Sequence, residues 1–463
     1  MAKIGRLLAI VIASAVVHGA ATSAADPGTD LSSITPAKQS PVPVLPGLGT
    51  QVEFWKQIFG TYSTHQVVIH DALSLDRIYE VLDFQSLSDS GLSDAEITAY
   101  SQGKVRSEKE RIRAILMRLH QLATDPGELS PEERKIRALF TDVNNPSRFL
   151  EAAAEDRLRG QAGLRERFAA GVELSRRYLP EMEVIFRREG LPIELTRLPL
   201  VESCFNVRAY SKVGAAGIWQ FMPATARQYM RVDRAVDERR DPIVSTRAAA
   251  EYLRANHEVL GSWPLAISAY NHGRAGIANA VATVGSSDLV RIIHNYHGPA
   301  FKFASRNFYA EFIAALDVER NFAKYFGELH PAHPRRTESV VIPTHVAFKT
   351  VTRASNAEVD TLVDLNPALT HDVISGKLRV PKGYLLRLPA GSAAGFKVRY
   401  ANLSTQEKQE TPKLRYVAHR VKPGQTLAGI AKRHRTTVAA IRRRNNLRAT
   451  RLRAGQSLKI PTT

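Results

Sequence analysis

The stretch Leu191-Pro192-Ile193-Glu194-Leu195-Thr196-Arg197-Leu198-Pro199-Leu200-Val201-Glu202-Ser203-Cys204-Phe205-Asn206 holds the residue whose type and setting speak most directly of chemistry. Pro192 suits the first turn of a helix. Leu195 and Leu198 make an apolar stripe that would hold the segment on a core, and Pro199 bends it. Glu202 then falls near the helix's end, after a mostly apolar run. A carboxyl there loses solvation and meets the negative end of the helix dipole, and both effects raise its pKa. A general acid that works near neutral pH needs that condition. Taken alone, a glutamate is more often a solvated surface residue, and Arg197 and Arg208 are ready partners for it.

Two further segments change the odds. Ser211-Lys212-Val213-Gly214-Ala215-Ala216-Gly217-Ile218-Trp219-Gln220-Phe221-Met222-Pro223 sets two glycines, an aromatic and an amide just after the acid. Glycines permit close backbone approach, and the Gln220 amide could bond a sugar amide or the carboxyl itself. Downstream, Ala269-Tyr270-Asn271-His272-Gly273 ends a helical run with a phenol and an amide. Singly, each segment reads as core packing and turn chemistry.

Together, in this order and spacing, the three segments resemble the catalytic domain of the lytic transglycosylases, goose-lysozyme-like cell-wall enzymes, and most of all their membrane-bound D type. The resemblance is strong over about 191–280. It implies that Glu202 is the sole catalytic carboxyl. It also implies that Ser203, Ser211, Gly217, Gln220, Met222, Tyr270 and Asn271 contact or line the sugar cleft, with Tyr270 and Asn271 near the glutamate. The implied reaction is non-hydrolytic cleavage between N-acetylmuramic acid and N-acetylglucosamine, ending in a 1,6-anhydro sugar. Because the nucleophile is the sugar's own C6 hydroxyl, no activated water is needed. The family's Tyr-Val-Pro segment after the catalytic core is not evident; Phe303-Ala304-Ser305-Arg306-Asn307-Phe308-Tyr309 occupies that region.

Two rivals stay open. A lysozyme-type hydrolase needs a second carboxylate roughly 5–9.5 Å from the first. Asp233, Asp237, Glu238 and Asp241 are the candidates, although their run also reads as a charged turn capping the next helix. A non-catalytic wall-binding or nucleic-acid-binding protein is the other rival, and Arg442-Arg443-Arg444 is its best argument for nucleic acid. The 14 histidines show no His-Glu-x-x-His pattern; His65/His70 and His294/His297 are the closest pairs, and no metal or cofactor is expected. Cys204, the single cysteine, has no convincing histidine to activate it and reads as a packing residue.

These residues need a scaffold, and 463 residues with 44% apolar and 24% charged composition suffice for several domains. Residues 1–25 read as a cleavable secretory signal: Lys3 and Arg6, then the apolar run Leu7–Val17, then small residues to Ala25. No cysteine stands at the cleavage site, so no lipid anchor is expected; membrane association by other means stays open, and the expected location is the periplasm. Residues 26–48 read as a Pro-rich linker. Residues 49–160 form a mainly helical extension, with strand-like Gln66–His70 and Ile78–Leu82 and a helical pattern from Asp94 to about Gln161. Residues 161–330 form the lysozyme-like all-helical domain. Pro180, Pro192, Pro223, Pro242 and Pro264 mark its helix starts or breaks.

Small α+β modules follow. Residues 414–463 read as β-α-α-β: a strand at Tyr416–Val421, a turn at Pro423–Thr426, helices around Leu427–Ala431 and Val438–Ile441, and a strand at Ser457–Pro461. The matching residues resemble a LysM domain, a fold that binds peptidoglycan and chitin. That resemblance places glycan against Gly424, Gln425, Thr426, Leu427, Asn445, Asn446 and Leu447. Residues 338–390 echo the module through a helix at Ala357–Leu365, then Asn366-Pro367, then a strand ending at Pro389, without the Gly-x-Thr-Leu start, and Ala390–Gly395 reads as a joint. The formal charge is +19, and from Thr411 onward there are 14 Lys/Arg and no acid. A basic module seeks an acidic polymer. Export makes peptidoglycan strands, rather than nucleic acid, the expected partner. The fold class is mainly α.

Overall fold

The Val67-Val68-Ile69 run is β-branched throughout, and it becomes the buried centre of a small sheet. In this computed structural model, which describes residues 41–88, 90–122, 128–408, 416–434, 436–447, 450 and 452–461, strand β1 (Gln66–Asp71) lies between β2 (Ile78–Asp83) and β3 (Leu158–Ala162). Both neighbours run antiparallel to it. The expected signal, and residues 26–40 of the expected linker, lie outside the described residues.

β3 corrects the sequence reading, which carried helix as far as Gln161. Leu-Arg-Gly-Gln-Ala has no strand signature of its own. It is extended because β1 offers a row of backbone groups to pair with, from Val67 opposite Ala162 to Asp71 opposite Leu158. Beside it, Arg157 holds the fully buried Asp71 at 2.7 Å. The helix Asp94–Gln121 starts on a capping box between Ser93 and Glu96. Its Ile112, Leu116 and Leu119 pack with Ile69, Tyr79, Phe140 and Phe149.

The chain divides into two compact units. One comprises the residues up to Tyr229 together with Pro242–Pro334; the other comprises Met230–Asp241 together with the residues from Arg335 onward. Within the first unit the N-terminal residues are built into the helical body. The helix Gly49–Gly60 buries Phe54, Trp55, Ile58 and Phe59 and packs along the helix Phe303–Arg320. The end of the expected linker is packed too. Val42 is 5% and Leu48 1% exposed, and the Tyr309 hydroxyl donates to the Pro43 carbonyl at 2.7 Å.

The prolines punctuate this unit as their chemistry requires. Pro180, Pro223, Pro242 and Pro264 each fall in the first two positions of helices at Leu179–Arg188, Pro223–Ala226, Pro242–Leu260 and Trp263–His272. Pro192 instead precedes a 3-10 turn, Ile193–Arg197, and the α-helix restarts at Leu198 with Pro199 in its first turn.

In the second unit, β4 (Thr337–Val341) and β5 (Leu385–Pro389) pair antiparallel around helices Phe348–Ser355, Val359–Leu365 and His371–Ile374. The second half of the expected joint at Ala390–Gly395 is already the first turn of a helix, Ala393–Ala401. Its Phe396 and Tyr400 are buried in the module's core, so the module runs past residue 390. The excursion Met230–Asp241 joins the same core through Val236, with Asp237 N donating to Ala368 O at 2.8 Å. The last module is β-α-α-β: β6 (Tyr416–Arg420) pairs antiparallel with β7 (Ser457–Pro461) across helices Leu427–Arg433 and Val438–Arg444.

Candidate active site

Glu202 sits on the last turn of the six-residue helix Leu198–Ser203. Leu195, Leu198 and Leu200 are fully buried and fix that helix to the core. Directly after it, Cys204 and Phe205 take φ of 48° and 55°, a left-handed pair that bulky residues adopt only when their surroundings hold them there. Phe205 is fully buried, its N–H donates to the Pro199 carbonyl at 3.1 Å, and Gly171 comes so close that a Cβ there would stand 2.8 Å from the Cys204 carbonyl oxygen. The chain is thus held in a sharp turn away just past the acid.

No hydrogen bond or ion pair reaches the Glu202 carboxyl among the described residues. Arg197 is committed to Glu183 at 2.6 Å. Although the Glu202 side chain keeps some surface, burial pushes its carboxyl up to about 8. Burial also pushes the neighbouring Cys204 thiol up to about 11, away from thiolate chemistry.

The glycine segment forms the adjoining wall. Ser203 Oγ donates to the Ile218 carbonyl at 2.8 Å and ties the glutamate helix to it. Ser211 closes its turn, accepting from Ala215 N on its hydroxyl and donating its own N–H to Ala215 O, both at 2.8 Å. Gly214 and Gly217 have positive φ, as does Gln220, whose amide donates to the Gly217 carbonyl at 2.7 Å. Trp219 anchors the wall: it is fully buried, it stacks on Phe186 with ring centroids 6.0 Å apart, and it donates to Thr246 Oγ1 at 2.9 Å.

The tyrosine helix, Trp263–His272, closes the site. The Tyr270 hydroxyl donates to the Trp219 carbonyl at 2.7 Å, and burial with the charge of Glu202 holds its phenol well above the usual range. Asn271 is buried and accepts from Ser305 Oγ at 3.3 Å. Tyr270 is therefore electrostatically beside Glu202. Ser203, Ser211 and Gly217 shape the wall. Gln220, Met222 and Tyr270 keep partial exposure.

The candidate second carboxylates are engaged within the second unit. Asp237 pairs with Arg239 at 2.7 Å, Asp233 with Arg231 at 2.6 Å, and Asp241 with Arg387. Glu238 accepts from Arg231 N at 2.7 Å. All four belong to the second unit. The acid that the fold does bring to Glu202 is Glu311, which the sequence reading missed. It is 1% exposed and its Oε1 has no partner. Burial first, then the charge of Glu202, pushes it up to about 8 against the opposing pull of Arg159. The available signal was a lone acid in the apolar run Tyr309-Ala310-Glu311-Phe312-Ile313. Among the described residues no group of three or more His, Cys, Asp or Glu is placed to hold a metal.

In the last module several residues expected to meet glycan have structural partners of their own. Leu427 is buried, and Leu447 packs on the core. Thr426 caps its helix by accepting from Gly429 N at 3.1 Å. Gln425 Oε1 lies 3.0 Å from Lys422 N and 2.9 Å from His419 Nε2. Asn445 bonds the β7 backbone at Lys459 through both ends of its amide, at 2.9 and 2.7 Å. Gly424 and Asn446 remain exposed at the two loops.

Residues 186–291 match the family described as the transglycosylase SLT domain. Residues 336–405 match the LysM-like domain of lytic transglycosylase MltD, and residues 419–461 match the LysM domain. The membrane-bound lytic murein transglycosylase D proteins of Escherichia coli K12 and of Escherichia coli O6:H1 are each 29% identical over 281 residues, 59% of this chain and 61% of theirs. The chain thus matches about three fifths of the length of these curated relatives. A crystal structure of the lytic transglycosylase Slt of Pseudomonas aeruginosa aligns at a TM-score of 0.28 and 16% identity, over 62% of this chain and 45% of that one. This chain carries an SLT transglycosylase domain, an MltD-type LysM-like module and a LysM domain, and it is homologous to membrane-bound lytic murein transglycosylase D.

Proposed function

We infer that this protein is a peptidoglycan lytic transglycosylase with Glu202 as its one general acid and base. The observation that carries this reading is a carboxyl at a helix end, free of hydrogen-bond partners among the described residues and pushed up to about 8, beside Tyr270 and the Gln220 wall. At neutral pH such a group is protonated and can donate. It gives its proton to the oxygen between N-acetylmuramic acid and N-acetylglucosamine as that bond breaks. The sugar's own N-acetyl group supports the charge at the anomeric carbon. Glu202, now ionised, takes the proton of the C6 hydroxyl as that oxygen bonds to the anomeric carbon, which leaves a 1,6-anhydro end and restores the acid.

A hydrolase would have to present a second carboxylate to a cleft water. Glu311 is almost wholly buried, which favours the single-acid reading. The LysM modules would hold the enzyme on glycan strands, and the expected export would put it in the periplasm. No helix among the described residues is long and apolar enough to cross a membrane. Mass spectrometry of the muropeptides released from purified sacculi tests this reading. Anhydro ends are expected from the native protein, and none from Glu202→Gln, which should still sediment with sacculi. Reducing ends would make the protein a hydrolase, and cleavage by Glu202→Gln would remove the residue from the mechanism.

A further inference from the structure

The N-terminal extension gathers three arginines on one groove. The groove has a volume of about 440 Å³, and Arg134, Arg137 and Arg148 line it together with the apolar Leu129, Phe140 and Val143. That size suits a small ligand. Local rules place the cations. Ser130 and Glu133 form the capping box that starts the helix Pro131–Ala138. Ile136 and Phe140 are buried in the core, which leaves Arg134 and Arg137, one turn apart, exposed on the same side of that helix. Arg148 is held differently. Its guanidinium lies over the Phe149 ring, 4.5 Å from the centroid, and one end donates to the Asn145 carbonyl at 3.0 Å. Its Nε is buried and has no partner. A buried donor is costly to leave unmade and normally finds an acceptor on protein, water or ligand.

The acids of this stretch are engaged with other groups. Glu132 pairs with Arg111, Glu133 with Arg118 at 2.7 Å, and Asp142 with Arg77 at 3.0 Å. Glu151 accepts from the Asn145 amide at 2.7 Å. Glu128 is exposed and does not line the groove. Among the described residues the Arg134 side chain bonds the Leu129 carbonyl and no acid, and the Arg137 side chain has neither a hydrogen bond nor an ion pair. The groove is therefore a concave site with three guanidinium groups and no carboxylate of its own.

We propose that this groove binds a peptide carboxylate, that of the stem peptides carried by peptidoglycan strands. The choice of peptide rests on the chain acting at peptidoglycan. An arginine fork meets a carboxylate through two parallel hydrogen bonds, and an exposed lysine offers no such match. The apolar members decide between ligands. A carboxylate borne by small aliphatic residues, as on an alanine-rich stem peptide, also covers Leu129 and Val143, whereas a bare inorganic anion gains nothing from them. The N-terminal extension thereby reads the peptide of a strand whose sugars the SLT domain cleaves.

The test is calorimetric titration of the full-length protein with a synthetic stem tetrapeptide, which carries no glycan for the LysM modules. The peptide with free carboxyls is expected to bind, and the same peptide with its carboxyls amidated to bind roughly tenfold more weakly or not at all. Arg137→Gln should weaken the free peptide roughly tenfold. Arg148→Lys, which keeps the charge and loses the fork, should weaken it as well. Lys135→Gln removes a charge from the same helix outside the groove and should leave binding unchanged. Circular dichroism checks each fold, and Arg134→Gln repeats the measurement at a second exposed position should Arg137→Gln unfold. Equal binding of the amidated peptide, an equal loss in Lys135→Gln, or native affinity in both Arg137→Gln and Arg134→Gln overturns the proposal. Inorganic phosphate that displaces the peptide at equal concentration overturns it too, as a plain anion site. So do phosphatidylglycerol vesicles that bind through Arg137 while the peptide does not bind. Anhydro-end release is read separately: its absence from the native protein strikes the enzymatic reading, whereas lost peptide binding with anhydro ends retained strikes the groove alone.

Discussion

The Tyr270 hydroxyl donates to the Trp219 carbonyl at 2.7 Å, and this one bond joins the tyrosine helix to the wall that carries Gln220. The carbonyl precedes Gln220, whose positive φ depends on the wall being held from outside. Tyr270→Phe removes the donor and keeps the ring against Phe221 and Tyr252. A buried carbonyl left without its donor costs about 1–3 kcal/mol. The expected result is a stability loss of that order in urea unfolding and a kcat lowered by roughly tenfold, with sacculus binding unchanged. Native kcat in Tyr270→Phe would show that the bond does not hold the wall.

Glu202 should also leave a mark on stability, and the sign follows from its environment. Its folded carboxyl is pushed up to about 8, whereas in the unfolded chain it titrates in the ordinary range near 4.3. The native state therefore holds the proton more tightly. Relative stability from this group is fully present below about 4, declines as pH rises, and is lost by about 8, because the unfolded chain gains by ionising. Glu202→Gln cannot ionise in either state. It is expected to match the native protein near pH 4 and to melt higher at pH 8, by on the order of a few degrees. Equal Tm values at both pH values would mean that the carboxyl is solvated, and the acid/base reading would go with it.

What the sequence revealed, and what it hid, divides along the range of the forces involved. Local rules worked. Prolines 180, 223, 242 and 264 fall in the first two positions of helices, and Glu202 falls on the last turn of one after an apolar run. The alternation in Tyr416–Val421 and Ser457–Pro461 gives the strands of the last module. Long-range pairing was not legible. Leu158–Ala162 is a strand only because β1 recruits it, and Val42 and Leu48 are buried in a stretch whose composition reads as linker. Glu311 was hidden for the same reason. Glu202 and Arg159 both lie far from it along the chain, and only the fold sets the three together. The joint expected at Ala390–Gly395 failed differently: its last three residues open a helix whose anchors, Phe396 and Tyr400, stand later in the sequence.

The two modules of the second unit share one stapling device. Asn445 donates to the carbonyls of Ile441 and Lys459 and accepts from Lys459 N. Asn366 does the same in the earlier module, donating to Leu362 and Arg387 carbonyls at 2.9 and 2.8 Å and accepting from Arg387 N at 2.9 Å. In each, an amide at the end of a helix staples the closing strand. Alanine at Asn445 would leave a strand N–H and carbonyl without partners, at about 1–3 kcal/mol for each group that stays buried. In a module with so small a core, built on Leu427, Ile430, Ile441, Leu458 and Ile460, that is expected to lower its melting transition sharply and to abolish sacculus binding only where the module has unfolded. Asn446→Gly, which suits the φ of 52° at that exposed loop position, is expected to leave the fold intact and weaken binding alone. Calorimetry beside sacculus sedimentation separates the two, and a folded Asn445→Ala that no longer binds would return that asparagine to the glycan surface.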